Sequence, residues 1–340
     1  MNENSVYVQT NDAGRNEVLA FARAADGTLT PMGAVATGGR GTGKPHLASQ
    51  SSVALSDDRR HLLVVNAGSG DVSLLAVEGS SVRLADRIAS GGMTPTSVAT
   101  SGTLAYVLNN GSASIAGFRI DGDRLVALDG SSRALSSADA DPAQIAFSSD
   151  GRTLAVTERG TDSISTFAVD ERGYAEGPAT IRSSGKTPYG FDFTHHGAMV
   201  VTEAFGGAIG QAAASSYALA GTALSPVSGS VGDTRSEVCW AVVTADGRFA
   251  YVTNFGDGTI SSYAIAGDGG LELRDAVAAS TRLGEKGVRD EAIARDGRHL
   301  YAIDADSRQL FGWEIGADGE LSPVGAVDGL PGTVAGLAAS

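Results

Sequence analysis

One sentence of sequence is written several times in this chain, and that repetition limits what it can fold into. Between Pro142 and Val169 the chain reads PAQIAFSSDGRTLAVTERGTDSISTFAV. Gln144 to Ser148 forms a short apolar run, and Ser149-Asp150-Gly151-Arg152 forms a tight turn. Gly after Asp supplies the positive φ that such turns need. Leu154 to Thr157 reads as a second strand, Glu158 to Ser163 as a loop, and the alternating Ile164 to Val169 as a third. Aligning on the residue that ends the second strand gives Asn11, Asn66, Asn109, Glu158, Glu203, Asn254 and Asp304. Successive anchors stand 55, 43, 49, 45, 51 and 50 residues apart. The turn returns as Asp246-Gly247-Arg248 and Asp296-Gly297-Arg298, and a fourth strand follows each third.

A period near fifty, made of short strands and Gly-rich turns, predicts an all-β, seven-bladed β-propeller. The chain opens on a second strand, Val6-Tyr7-Val8, with no innermost strand before it. Thr333 to Ala339 reads as an innermost strand without a blade. Pairing the two closes the ring and removes two open sheet edges. Residues 1–340 are therefore expected to form one domain, although 340 residues would otherwise suggest two.

Composition narrows the function. The formal charge of -14 opposes a phosphate backbone, so no nucleic-acid partner is expected. No apolar run is long enough to span a membrane, and residues 1–10 lack the features of a leader, so a cytoplasmic monomer is expected. A single cysteine permits no internal disulfide. No zinc-ligand spacing, phosphate-binding Gly loop or G-x-S-x-G elbow occurs, so neither metal nor cofactor is expected.

In a propeller the start of each innermost strand and the end of each second strand share one face, near the central channel. That face should collect Asn66, Glu158, Arg159, Glu203 and Asn254 from second-strand ends. From innermost strands it should collect Gln144, Tyr189, Trp240 and Arg289. Four other blades hold Asn where blades four and five hold Glu158 and Glu203. A pair of acids there suits a general base that activates water, or a pair of solvated or Arg-paired strand ends. Arg159 suits an oxyanion or a substrate carboxylate, or an ion pair with one of the two glutamates. His46 is the histidine expected on this face and can act as acid or base near neutral pH. Gln144, Tyr189, Trp240, Asn254, Arg289 and Asn66 form the expected substrate-binding set. Cys239 begins an apolar strand and reads as an inert thiol. The loop Ala204 to Ala214 is a candidate lid or a plain insertion.

The segments PAQIAFSSDGRTLAVTERGTDSISTF, TPYGFDF, VVTEAFGG, CWAVVTADGRFAYVTNFGDGTISSY and LPGTVAGLAA resemble the lactonase-type seven-bladed propellers. That family includes bacterial 6-phosphogluconolactonase and fungal carboxymuconate lactonizing enzyme. The resemblance covers essentially the whole chain. It implies a site at the channel mouth acting on a lactone or related cyclic acid, by hydrolysis or reversible ring closure. Sugar-lactonase members usually begin an innermost strand with a His-containing Pro-His-x-x-x-Phe; here Pro142-Ala143-Gln144-Ile145-Ala146-Phe147 lacks the histidine. A non-catalytic propeller that binds a small molecule or protein on the same face is the alternative reading.

Overall fold

The computed structural model describes residues 4–45 and 47–340. Seven antiparallel sheets stand in a ring, and the only helical segments among the described residues are single turns at Asn110–Ser112 and Phe205–Gly207. The chain is a seven-bladed β-propeller. Blade one is built from Ala335–Ala339, Ser5–Gln9, Glu17–Arg23 and Leu29–Ala36, in that order from the axis outward. The C-terminal strand pairs with the first strand through Val6–Ala339, Tyr7–Ala338 and Val8–Leu337. Blades two and four to seven each take four consecutive strands. Blade three carries an interrupted outer edge, with Arg124–Ala127 and Arg133–Ala134 both pairing to Ser114–Asp121.

The second strands read as continuous apolar runs because both of their faces are covered. In blade two, Leu62 and Val64 pack toward blade one while Leu63 and Val65 pack toward blade three. Alternation along a strand thus feeds two cores, and each of the seven junctions between blades holds its own apolar cluster. Second-strand tyrosines add a polar bolt at three junctions. The hydroxyls of Tyr106, Tyr251 and Tyr301 donate to the carbonyls of Gly173, Gly319 and Gly27, each in the outer turn of the next blade, at 2.8, 2.9 and 2.7 Å.

Six of the seven anchors end their second strands as the repeat predicts: Asn66, Asn109, Glu158, Glu203, Asn254 and Asp304. Blade one differs. Its strand ends at Gln9, and Asn11 lies beyond it with φ 51°. The Asn11 side chain instead holds the linker to blade two, donating to Thr42 Oγ1 and the Lys44 carbonyl at 3.0 and 3.1 Å.

The inner strands of blades three to seven carry an irregularity directly after their first residue. In blade five Pro188 pairs with Glu203, but the next regular pair is Phe191 with Val201. Blades six and seven repeat this at Val238/Ala241 and Val288/Glu291. The extra residue frees Tyr189, Trp240, Arg289 and Asp290 from the ladder, which is how a bulge re-aims a side chain.

Candidate functional site

The mouth of the channel is built on those bulges. Tyr189, Cys239 and Trp240 cluster with Ala143 and the partly buried Phe255. The Tyr189 and Trp240 rings meet edge to face, with centroids 5.7 Å apart. Two guanidinium groups lie over this wall. Arg159 stands 4.9 Å above the Tyr189 ring and Arg289 4.8 Å above the Phe255 ring. Lys286 joins the second pair at 5.5 Å and also reaches Glu237 Oε1 at 2.7 Å. Aromatic faces attract such cations and hold them in place.

Arg159 does not pair with either glutamate. Its Nη2 binds Asp141 Oδ1 at 2.7 Å, and its Nε donates to the Asp141 carbonyl at 3.2 Å. Arg289 is 6% exposed, and its Nε and Nη1 have no hydrogen-bond partner among the described residues. Next to it, Asp290 accepts from the Gly336 amide of the closing strand at 3.0 Å. Burial raises the Asp290 carboxyl to about 7, against the smaller opposing pulls of that amide and of Arg289. Burial also pushes the Cys239 thiol up to about 12, and Cys239 Sγ donates to the Glu237 carbonyl at 3.3 Å. An uncharged buried thiol is a poor nucleophile.

Below the wall, side chains cross between inner strands and pair with backbone. The Gln50 amide exchanges both of its bonds with Ala241, on the far side of the ring, at 2.8 and 3.1 Å. Trp240 Nε1 donates to the Ser49 carbonyl at 2.9 Å. Gln144 is 3% exposed and bonds the amide and carbonyl of Phe191 at 2.6 and 2.9 Å. Gln144 and the Trp240 indole are therefore committed to backbone partners in neighbouring blades.

Glu158 and Glu203 are placed differently from the expected pair. Both are fully buried. Glu158 Oε1 accepts from Ser165 Oγ at 2.6 Å and the Ser136 amide at 3.2 Å, and Oε2 accepts from Thr161 Oγ1 at 2.8 Å and from Ser136 Oγ. Glu203 accepts from Gly185 N, Ser215 Oγ and Ser230 Oγ at 2.7, 2.6 and 2.6 Å, and from Ser183 Oγ at 3.2 Å. The two shells share no residue. Every donor belongs to an outer strand, a loop or the linker from the preceding blade. The physical reason is that a second-strand end stands one strand away from the axis, and its side chain turns outward into the junction. Each carboxylate ties a linker to its own blade.

Asn66 and Asn254 do the same work. Asn66 accepts from Asn16 Nδ2 and Thr37 Oγ1 at 2.8 and 2.7 Å and donates to Asp71 and Ser73. Asn254 donates to Thr259 Oγ1 and Ser261 Oγ at 3.2 and 2.8 Å. In blade six the acid has moved to the linker: Asp233 accepts from Ser261 Oγ at 2.9 Å. The signal for this brace lay in the sequence, as a serine seven residues after the anchor at Ser73, Ser165 and Ser261. His46 lies outside the described residues. The loop at 204–214 is tied to the rim, with the Gly206 and Gly210 amides donating to Thr187 Oγ1 and Ser236 Oγ, both at 3.0 Å.

Comparison with known proteins agrees with this architecture. A family model described as "Lactonase, 7-bladed beta-propeller" matches residues 2–125, 102–208 and 203–321. The chain belongs to that lactonase family. No curated protein matches it. A structure from Lactobacillus plantarum is similar over 100% of both chains at 17% identity, with a TM-score of 0.79. A candidate 6-phosphogluconolactonase from Bacteroides uniformis is 18% identical over 98% of this chain and 99% of its own, with a TM-score of 0.75. A second, from Bacteroides fragilis, is 17% identical over 99% and 98%, with a TM-score of 0.73. At these identities the likeness concerns the fold. Membership of the lactonase family supports lactonase-type activity in general and a small-molecule substrate. Among the described residues no helix is long and apolar enough to cross a membrane, and no group of three His, Cys, Asp or Glu is placed to hold a metal ion.

Proposed function

We propose that this lactonase-family propeller hydrolyses a small anionic lactone at the mouth framed by Arg159, Arg289 and Asp290. The observation that carries the reading is Arg289. A buried guanidinium with two nitrogens lacking a partner among the described residues is costly, and an anion bound there offsets that cost. Arg159 sits over the neighbouring ring with its charge partly committed to Asp141. The two guanidiniums divide the work: Arg289 holds the substrate's carboxylate or the lactone carbonyl oxygen, and Arg159 faces the other end of the ligand. Tyr189 and Trp240 supply the apolar wall for the ring carbons.

Asp290 is the base. A carboxyl that titrates at about 7 can take a proton from water and return it at the same pH. Water oxygen bonds to the lactone carbonyl carbon as its proton passes to Asp290. The tetrahedral oxyanion rests against a guanidinium. The ring C–O bond then breaks, and the departing alkoxide takes the proton back, leaving a hydroxy acid.

Arg289→Gln should lower kcat/KM on carboxylate-bearing lactones by about 10²-fold, the usual scale for one oxyanion or anion donor. Neutral aliphatic lactones should be poorer substrates and less sensitive to the change. Equal turnover of both classes by the parent and by Arg289→Gln contradicts the reading. Binding without turnover is the second reading, favoured because Gly336 N already occupies one Asp290 oxygen. Stabilisation by a lactone that is recovered unopened supports it.

A further inference from the structure

The other end of the channel is built for different chemistry. Five of the seven inner strands end on two half-buried residues, whereas the strand starts at the mouth are buried. These ends include Ala54-Leu55, Ala146-Phe147, Asp192-Phe193 and Ala292-Ile293. Those ends ring the channel on the face that carries the Asp-Gly-Arg turns, where Leu55, Phe147, Phe193 and Ile293 pack against separate junction clusters and leave a partly exposed apolar edge at the opening.

Two acids stand near that edge. Asp192 is half-buried at the opening, anchored by the Val243 and Phe193 amides, both at 2.8 Å. Glu291, one step deeper in blade seven, is 4% exposed, and neither of its carboxylate oxygens has a hydrogen-bond partner among the described residues. Its electrostatic neighbours are acids, Asp192 first and then Asp290. Packing does not require an acid here, because Gln50 and Gln144 fill the same channel with amides that satisfy themselves on backbone. Burial, then Asp192 and Asp290, hold this carboxyl group with two orphaned oxygens well above the usual carboxylate range, and a cation bound beside it supplies the counter-charge that lets it ionise.

We propose that this opening binds a primary alkylammonium ligand, its ammonium between Glu291 and Asp192 and its alkyl stem along Leu55, Phe147, Phe193 and Ile293. An ammonium group brings three donors, enough for both unpartnered Glu291 oxygens and for a free lone pair of Asp192. The apolar stem takes the place of water along the strand ends, which a bare inorganic ion cannot do. The site is entered from the end of the channel opposite the lactone mouth, but Glu291 directly follows Asp290 and is its electrostatic neighbour, so the test is of binding and not of turnover.

The experiment is calorimetric titration of the full chain with n-butylammonium chloride, with n-butanol and calcium chloride as parallel titrants. Saturable binding of butylammonium is expected, with no binding of butanol. Glu291→Gln should weaken it at least tenfold. Without ligand that variant should melt above the parent, because it removes an orphaned buried acid. Asp192→Asn provides the same test from the half-buried partner should Glu291→Gln fold poorly, again with at least a tenfold loss. Equal binding of butanol, binding of calcium in place of the amine, or undiminished affinity in the variant that folds overturns the proposal.

Discussion

At the residue scale, the same residue type does two kinds of work, and its hydrogen bonds separate them. Glu158 and Glu203 have their oxygens filled by serine, threonine and amide donors, so they stabilise linkers. Replacing either by Ala strands several buried donors at once. Each unsatisfied group costs about 1–3 kcal/mol, so a loss of about 3 kcal/mol is expected in urea unfolding of Glu158→Ala. A melt like the parent's would show that the brace carries no load. Arg159→Ala removes an ion pair to the exposed Asp141 and the contact with the Tyr189 ring, and should change ligand affinity more than stability. The anchors were legible as positions because the repeat fixes them. Their direction was not, because a strand end can turn toward the axis or into the junction. The donors that settle the matter, such as Ser136 and Ser183, come from linkers that keep no period. Asp192 was legible only as an acid inside the apolar strand Pro188–Phe193, a local oddity whose meaning depends on blade seven.

At the scale of the element, each blade is held by its neighbours through one apolar cluster and a few polar ties. The tyrosine bolts give a clean test. Tyr251→Phe keeps the packed ring and removes a bond of 2.9 Å to the Gly319 carbonyl. It should cost about 1 kcal/mol, read as a lower urea midpoint with unchanged slope. A neutral result would assign the stability of that junction to its apolar cluster alone. Linker glycines are a second tie. Gly185 lies against the Glu203 carboxylate, where any Cβ collides, so Gly185→Ala should destabilise although the site is small and the change slight. The blades themselves were readable from turn and strand periodicity. The bulges that open the mouth were not. A bulge inserts one residue without a composition of its own, and only the register of Pro188, Val238 and Val288 against their partners reveals it.

At the scale of the whole molecule, ring closure and channel charge set the behaviour. The C-terminal strand was legible because it was left over at one end while a strand was missing at the other. Removing residues 335–340 deletes the pairing to Val6–Gln9 and the bond from Arg23 to the Ser340 carbonyl, and should abolish cooperative melting. Channel charge gives a pH dependence. Burial raises Asp192 and Asp233 to about 6 and Asp290 to about 7. The folded chain therefore binds more protons than the unfolded one between about pH 4 and 7. These groups contribute stability fully at low pH, and it is lost as pH rises through 6 to 7. The melting temperature should fall across that window, and Asp192→Asn should flatten its lower part; an unchanged slope would remove Asp192 from the cause. The central claim is that chemistry belongs to the bulged mouth and bracing to the strand-two acids. It is tested most directly by kcat/KM on a carboxylate-bearing lactone, measured side by side for Asp290→Asn and Glu158→Gln with their melting curves. The account predicts a loss of about 10²–10⁴-fold for Asp290→Asn with a folded protein, and near-parental turnover for Glu158→Gln with a lowered melting temperature. Full activity in Asp290→Asn together with lost turnover in a stably folded Glu158→Gln would contradict it.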